Sequence, residues 1–175
     1  MVDLGKLAPY NKGFKYVLTC IDVLSRYAWV VPLKDKTGNT LKEAFEVIFK
    51  LGRQPIRLQT DRGTEFTNRV FQKFRKENNV DFFTTYNDET KASIVERLNR
   101  TLKTKMWKYF THRETITYVD VLPDMVASYN HTVHRTIGIP PAEVTWDNQT
   151  TVSKRLYRRK GPKNCANFLL EIECD

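Results

Sequence analysis

Short apolar blocks dominate the first third of the chain, and their composition is typical of β-strands. Residues 14–23 are rich in β-branched and aromatic side chains and become apolar on both faces, which predicts a central strand. A second block at residues 27–33 follows a short turn, and residues 11–13 give a turn signal ahead of the first block. We therefore predict three consecutive antiparallel strands, the first of which carries Asp3.

Helical periodicity begins near residue 40, where apolar side chains recur at every third or fourth position. Thr40 and Glu43 have the spacing of a capping box, and Gly52 would end this first helix, predicted over residues 41–51. The remaining pattern predicts strands at residues 55–60 and 80–85 and helices at residues 67–78, 93–109 and 118–133, the last one bent near Pro123. This order predicts an α/β fold in which helices cover both faces of a mixed sheet.

The apolar periodicity fades after Pro140 and Pro141, and residues 154–160 form a basic run. We therefore divide the chain into a core domain over residues 1–149 and a basic C-terminal tail over residues 150–175. The tail is expected either to be disordered or to belong to a truncated further domain.

The chain has a formal net charge of +9 at pH 7. Such an excess of basic residues favours a polyanionic partner, with nucleic acid as the first choice and a generically basic protein as the alternative. No apolar stretch approaches the roughly 18 residues of a membrane-spanning helix. The three cysteines form neither a disulfide framework nor a zinc-binding pair. We expect a soluble intracellular protein that does not contact a membrane.

Aspartates near strand ends are candidates for metal-dependent chemistry, because Mg²⁺ prefers hard oxygen ligands on rigid elements. Asp61 follows a predicted strand, where it could face a ligand crevice or simply form a turn with Arg62 and Gly63. Gly63 would let the backbone approach a phosphate closely. A second aspartate would come from the start of the chain, where Asp3 and Asp22 compete for the role.

Glu96 is the third candidate carboxylate. Its helix pattern places Glu96, Asn99, Arg100, Lys103 and Trp107 on the face opposite the apolar one. A carboxylate and cations on this face could meet both a metal and a DNA backbone. Two structural alternatives stay open, since Ser93 and Glu96 also fit a capping box and a plain solvated face would be charged as well.

Several blocks of this sequence, in order, resemble the catalytic core of retroviral-type integrases of the DDE superfamily. The resemblance is closest to the integrases of gypsy-like retrotransposons and Polinton/Maverick transposons. The blocks are Asp3-Leu4 with residues 11–13 and 22–26, residues 27–33, residues 59–66, residues 91–103 and residues 129–140. The resemblance covers roughly residues 1–141 and implies an RNase H-like fold with a five-stranded mixed sheet flanked by helices.

The resemblance also implies site residues and a reaction. Asp3, Asp61 and Glu96 would be the catalytic residues and would together hold two Mg²⁺ or Mn²⁺ ions. Asp22 would be either a structural carboxylate or one that supports the metal ligands without binding the metal. The implied reaction is processing of the 3′ ends of transposon DNA, followed by transfer of those ends to target DNA. DNA contacts are predicted at Asn99, Arg100, Lys103, Arg62 and Lys91.

Assembly and location follow from the same resemblance. Joining two DNA ends requires at least a dimer, with the helices at residues 41–51 and 118–133 as candidate interfaces. Trp107, Tyr109 and Phe110 would either anchor that interface or complete the monomer core. Integration into chromosomal DNA implies a nuclear location. We further expect residues 86–92 to be mobile without DNA.

The block at residues 129–140 contains two histidines, but no cysteine pair lies nearby to complete a zinc site. Tyr129, Asn130 and His134 are therefore interpreted as structural residues.

Two other functions remain open at this point. The chain could be an integrase-derived domain that binds DNA or another partner without catalysis, or an RNase H-like nuclease that acts on RNA–DNA hybrids. The presence of all three carboxylates favours catalysis. We expect the zinc-binding domain that precedes such cores to be absent, which makes autonomous integration by this chain an open question.

Overall fold

The strand Tyr16–Asp22 (β2) organises a six-stranded mixed sheet in the computed structural model, which describes residues 1–52, 54–60, 63–84, 93–157 and 169–172. The other strands are Val2–Asp3 (β1), Ala28–Leu33 (β3), Arg57–Thr60 (β4), Asp81–Thr84 (β5) and Leu169–Ile172 (β6). β3 pairs with one edge of β2, and both β1 and β6 pair with its other edge. From β6 the sheet continues to β4 and then to β5. The predicted antiparallel meander β1–β2–β3 is confirmed.

The apolar character of β2 on both faces is explained by two layers of helices. Leu18 and Cys20 belong to a core with helix Gly38–Lys50 (α1), whereas Val17 and Ile21 pack toward helix Ser93–Arg113 (α4) on the opposite face. The remaining helices are Thr64–Thr67 (α2), Arg69–Glu77 (α3), Leu122–Asn130 (α5) and Gln149–Leu156 (α6), with 3₁₀ helices at Gly5–Tyr10 and Pro141–Glu143.

Two helix starts differ from the sequence prediction. The N-cap of α1 is Thr37, whose side chain accepts a hydrogen bond from the Thr40 backbone N–H, so Thr40 lies inside the helix rather than capping it. Pro123 lies in the first turn of α5, where its missing N–H costs no helical hydrogen bond, so it begins the helix instead of bending it.

Asp22 is confirmed as a structural carboxylate. It is 1% exposed, and it accepts hydrogen bonds from the backbone N–H and the hydroxyl of Ser25 in the turn between β2 and β3. This turn includes Arg26 at φ 62°, a left-handed conformation that is unusual for a residue with a side chain. Asp22 thus stabilises the hairpin turn and is withdrawn from solvent.

The region predicted as a tail contributes two described elements. In α6, Val152 is buried in a cluster with Ile137 and Val144, and a Cβ added at Gly138 would collide with the guanidinium of Arg155. β6 makes the sixth strand of the sheet, so the expected count of five strands is wrong. The boundary between core and tail at residue 149 stays a prediction.

Within the described residues, no helix combines the length and the apolar character needed to cross a membrane.

Candidate active site

The carboxyl ends of several strands meet at one edge of the sheet. β4 and β5 are parallel, β6 runs parallel to β4, and β1 has the same direction as β6 because both are antiparallel to β2. Asp3 therefore ends its strand at the same edge as Thr60 and Thr84. Asp61 follows Thr60 directly in sequence but lies outside the described residues, as do Arg62, Lys91 and the predicted mobile segment 86–92.

Asp3 is exposed and its carboxylate is oriented by the local backbone. Its Oδ1 accepts a hydrogen bond of 2.8 Å from the backbone N–H of Gly5, at the start of the 3₁₀ helix Gly5–Tyr10. A Cβ at residue 5 would lie 3.2 Å from this oxygen, so glycine allows the close approach. The carboxylate of Asp3 is thus open to solvent, while its hydrogen bond from Gly5 closes a local turn.

The strand register separates Asp3 from the level of Thr60. Ile172 of β6 pairs with both Cys20 and Thr60, whereas Asp3 pairs with Tyr16, which comes four residues before Cys20 in β2. At about 3.3 Å per residue, this offset is roughly 13 Å along the strands. β4 itself runs toward the edge of the sheet at which Asp3 lies.

Glu96 lies near the start of α4, on an exposed strip that also includes Arg100, Lys103 and Trp107. The predicted strip is correct for these four residues and wrong for Asn99, which is only 4% exposed. Asn99 follows Val95 by one helical turn and precedes Leu102 by three residues, so it shares their buried side. Asn99 is therefore removed from the set of residues able to contact DNA at the surface.

A cation and a buried carboxylate beside this edge were not singled out from the sequence. Glu65, in α2, is 8% exposed, and its Oε1 lies 3.9 Å from Nζ of Lys36. The same Nζ lies 5.0 Å from the ring centroid of Tyr16, the residue that faces Asp3 across the ladder. Lys36 thus links the chain that follows Asp61 to the strand pair of Asp3. The available sequence signal was the position of Glu65 four residues after Asp61.

The donor chemistry of these side chains fits a hard divalent cation. Asp3 and Glu96 offer exposed carboxylates, and Asp61 would supply a third. Among the described residues alone, no group of three acidic, histidine or cysteine side chains is close enough to hold a metal ion. A metal site at this edge would therefore need Asp61, which stays a prediction.

A basic cavity lies on the other flank of α4. Its volume is about 470 Å³, and its cationic lining residues are Arg26, Arg97, Lys105 and Arg135, with no acidic residue among the described residues that line it. Burial and then the charges of Arg26 and Arg97 lower the pKa of His134 in the same wall. This concentration of positive charge suits a polyanionic ligand.

The block at residues 129–140 has the structural role predicted for it. Asn130 is 3% exposed, donates to the Ala28 carbonyl oxygen and accepts from the Ala28 N–H, both at 2.9 Å. These bonds satisfy the backbone N–H and C=O of Ala28 on the outer edge of β3, which has no further strand beside it in the described sheet. Burial raises the pKa of Tyr129 to about 12, and its ring meets that of His134 edge-on.

Comparisons with known proteins agree with this architecture. Residues 1–87 match the integrase core domain family. An uncharacterized transposon-derived protein of Caenorhabditis elegans is 41% identical over 135 residues, which are 77% of this chain and 47% of that protein. The chain thus spans about half the length of this relative.

Two solved structures share the fold. The catalytic core of the integrase of HTLV-2, in complex with magnesium, has a TM-score of 0.65 at 22% identity, over 75% of this chain and 85% of that one. A chain of the simian T-cell lymphotropic virus intasome in complex with PP2A regulatory subunit B56 gamma has a TM-score of 0.67 at 24% identity, over 76% of this chain and 49% of that one. The RNase H-like fold expected from the sequence is therefore confirmed.

Proposed function

Since the chain carries an integrase core domain of the retroviral type, we propose that it catalyses DNA integration by processing the 3′ ends of a transposable element and joining them to target DNA. The observation that supports this proposal is that β1, β4 and β5 run in the same direction and end toward one edge of the sheet. Asp3 ends β1 there, Asp61 follows β4 in sequence, and the exposed Glu96 lies in the first turn of α4, the helix that comes after β5.

We propose that Asp3, Asp61 and Glu96 hold two Mg²⁺ or Mn²⁺ ions. When bound, the ions would stabilise the charge that develops on the phosphodiester and make the attacking oxygen more nucleophilic. The HTLV-2 integrase core was solved in complex with magnesium, which supports the choice of cation. The backbone N–H of Gly5 orients Asp3 through a hydrogen bond. The apolar face of α4 is packed against the sheet, so Glu96 lies on a helix that is held rigidly.

The exposed cations of α4 would bind the DNA backbone. Arg100 and Lys103 lie on the same strip of the helix as Glu96, so a phosphate close to that carboxylate is within their reach. The basic cavity on the other flank of α4 supports a DNA partner as well, because phosphate contacts supply most of the affinity of non-specific DNA binding.

A strand-transfer assay tests this function directly. Labelled oligonucleotides that carry the element's ends are incubated with the protein and Mg²⁺ or Mn²⁺. A disintegration substrate is included for the case in which an isolated core fails at full integration. Asp61→Asn, Glu96→Gln and Asp3→Asn should each abolish product formation while the circular dichroism spectrum is unchanged. Glu77→Gln, an exposed carboxylate on α3, is the matched control and should keep full activity. Full activity in Asp61→Asn would refute the assignment.

The second candidate function is an integrase-derived domain that binds DNA without catalysis. It is favoured by the hydrogen bond that already engages Asp3 and by the offset between Asp3 and the level of Thr60. This function predicts salt-dependent DNA binding by the wild-type chain with no product on any substrate, with either cation. The same set of assays therefore distinguishes the two functions.

We propose that the active form is at least a dimer and that it acts in the nucleus. Val47 and Leu51, at the end of α1, are 51% and 66% exposed, which leaves apolar surface for a second copy. Phe110 is buried in the monomer, whereas Trp107 is 60% exposed and can contribute to an interface. Sedimentation at micromolar concentration, with and without DNA ends, should show self-association, and a strict monomer under both conditions would exclude concerted integration of two ends.

A further inference from the structure

The basic cavity on the flank of α4 lies between parts of the chain that are distant in sequence. Its wall is formed by α4, by the hairpin between β2 and β3, and by the end of α5 with the segment that follows it. Its floor is apolar, because Ile21, Ile94 and Leu98 belong to the core cluster between α4 and the sheet. The volume of about 470 Å³ lies within the range of about 300–1,000 Å³ that is typical of sites for small ligands. The cavity therefore has room for a small organic molecule rather than for a single ion.

Positive charge surrounds this apolar floor. The cationic residues that line the cavity are Arg26, Arg97, Lys105 and Arg135. No acidic residue is among the described residues of the wall. A concave surface lined by charges of one sign concentrates counter-ions, so this cavity attracts anions.

Two of the guanidinium groups lie on the same side of the cavity as an aromatic pair. The rings of Tyr129 and His134 meet edge-on, with their centroids 6.3 Å apart. Burial is the main cause of the pKa shifts of both side chains, and the charges of Arg26 and Arg97 act on both of them as well. Two cations and two rings are thus within reach of one ligand.

The wall is held in place by its own hydrogen bonds. Nζ of Lys105 donates to the hydroxyl of Ser128 at 3.0 Å. Nδ1 of His134 accepts from the backbone N–H of Thr136 at 3.3 Å, so the neutral ring carries its proton on Nε2 and can donate it to a ligand. Arg26 has a left-handed backbone with φ 62°, a costly conformation for a residue with a side chain and one that clusters at functional sites. These groups are positioned before any ligand binds.

The combination of cations, rings and an apolar floor identifies the class of ligand. Guanidinium groups bind phosphate oxygens through paired hydrogen bonds, and aromatic rings pack against the faces of nucleobases. A bare anion would use the charges and leave the apolar floor without a contact. An uncharged apolar molecule would bury the cations without a counter-ion, which is unfavourable. A nucleotide carries both the phosphate and the planar apolar face that the cavity requires.

We propose that this cavity is a nucleotide-binding site, in which Arg26 and Arg97 bind the phosphate and the base rests on the floor of Ile21, Ile94 and Leu98. The nucleotide is either a free mononucleotide or the unpaired end of a DNA strand, since both present the same phosphate, sugar and base. The site itself is independent of the catalytic triad, and its use for a strand end rests on the proposed function.

The first experiment measures the affinity of the full chain for mononucleotides by isothermal titration calorimetry. EDTA is present throughout, so that no divalent cation at the candidate active site can hold a phosphate. AMP should bind at least about tenfold more tightly than inorganic phosphate or adenosine, because only AMP contacts both the cations and the floor. ATP should bind more tightly than AMP, since it carries more negative charge. Equal affinities for AMP and inorganic phosphate would overturn the nucleotide assignment.

The second experiment fills the cavity without changing its charge. Thr101 lines the cavity, whereas Thr104 is exposed on the same helix outside it, and each hydroxyl donates to the carbonyl oxygen four residues earlier. Thr101→Trp should abolish nucleotide binding, and the matched control Thr104→Trp should retain it. Circular dichroism and thermal melts verify that both variants are folded. Unchanged affinity in Thr101→Trp, or equal losses in the two variants, would overturn the site.

The third experiment separates the phosphate contact from the net charge of the protein. Arg97 is exposed in the wall of the cavity, and Arg69 is exposed at the start of α3, in the helical layer on the opposite face of the sheet. Arg97→Ala should weaken nucleotide binding at least about tenfold, because a charge-assisted contact is lost. Arg69→Ala removes the same charge and should have little effect. Equal losses would assign the binding to general electrostatic attraction and would overturn the site.

The fourth experiment identifies the source of the nucleotide. Fluorescence anisotropy, again in EDTA, compares a duplex that has a single-stranded extension of two nucleotides with the same duplex whose extension is abasic. Tighter binding of the extension with bases, lost in Thr101→Trp and kept in Thr104→Trp, would assign the site to a strand end. Equal binding of the two duplexes together with mononucleotide binding would assign it to a free nucleotide. Failure of both mononucleotides and base-bearing extensions to bind would overturn the proposal. None of these measurements depends on catalysis, so a chain that gives no strand-transfer product refutes the proposed function and leaves the nucleotide site to be decided by binding.

Discussion

Asn11 offers the sharpest test of how the segment after Asp3 is stabilised. It is completely buried, and its side chain joins the end of the 3₁₀ helix Gly5–Tyr10 to the link between α4 and α5. Nδ2 donates to the carbonyl oxygens of Leu7 and Ile116, both at 2.9 Å, and Oδ1 accepts from the N–H groups of Tyr118 at 2.6 Å and Val119 at 3.2 Å. The four hydrogen bonds use the full capacity of the amide.

Asn11→Ala should therefore be strongly destabilising. Each of the four hydrogen bonds contributes about 0.5–1.5 kcal/mol, and the truncation also leaves buried backbone groups without a partner. We expect the free energy of unfolding to fall by about 3–5 kcal/mol, a large part of the about 5–15 kcal/mol of a typical domain. Three of the four partners are more than 100 residues away in sequence, so the loss is tertiary rather than local.

Urea unfolding, followed by circular dichroism, measures this loss through the shift of the transition midpoint at constant slope. Lys12→Ala is the matched control, because the neighbouring Lys12 makes an exposed ion pair with Asp120. Such pairs contribute at most about 1 kcal/mol. A loss below about 1 kcal/mol for Asn11→Ala, or equal losses for the two variants, would refute the reasoning.

Three further predictions concern the DNA contacts, the sheet edge and the pH dependence of stability. Lys103→Ala should weaken binding to all DNA sequences alike and reduce the salt dependence of the binding constant by about one unit, and a loss restricted to one sequence would contradict a phosphate contact. Asn130→Ala should lower the free energy of unfolding by about 2–4 kcal/mol in urea titrations, because both buried backbone groups of Ala28 lose their partner, and a near-neutral effect would contradict this role. The lowered pKa of His134 means that the unfolded chain binds the proton first, so stability should fall as pH drops below about 6.5. Thermal melts of His134→Gln should show a weaker fall over the same pH range, and an unchanged fall would assign it to other groups.

The elements that could be predicted from sequence are those whose pattern is local. β2 has apolar residues on both faces because it packs against helices on both sides, and α4 has a continuous buried row from Val95 to Phe110. The 3₁₀ helix Gly5–Tyr10 was not predicted, since it has too few residues for a helical repeat. The N-cap of α1, Thr37, was missed because Thr40 has the same side chain three residues later and fits the capping pattern equally well. In the structure the Thr40 hydroxyl donates a hydrogen bond to Asp35 instead.

The sequence predicts the site residues that are recognisable from their own side-chain chemistry. Asp3 and Glu96 have the exposed carboxylates that were expected, whereas Asn99 lies at the border of the buried row, where helical periodicity does not separate inside from outside. Glu65 and Lys36 were missed because their proximity depends on the packing of α2 beside the sheet. β6 was missed for the same reason, since no local pattern specifies a pairing partner elsewhere in the chain.

The pairing of β6 with β2 and β4 constrains the order in which the sheet folds. Cys20 and Ile172 pair across 152 positions of sequence, so this part of the described sheet closes through a very long loop. Contacts of such separation slow folding, because the loop-closure entropy is lost before the contacts form. During synthesis, β2 and β4 leave the ribosome well before β6, and at about 5–20 residues per second the wait lasts several seconds or more. The nascent chain must therefore keep the unpaired edges of β2 and β4 apart, or covered by a chaperone, until β6 emerges.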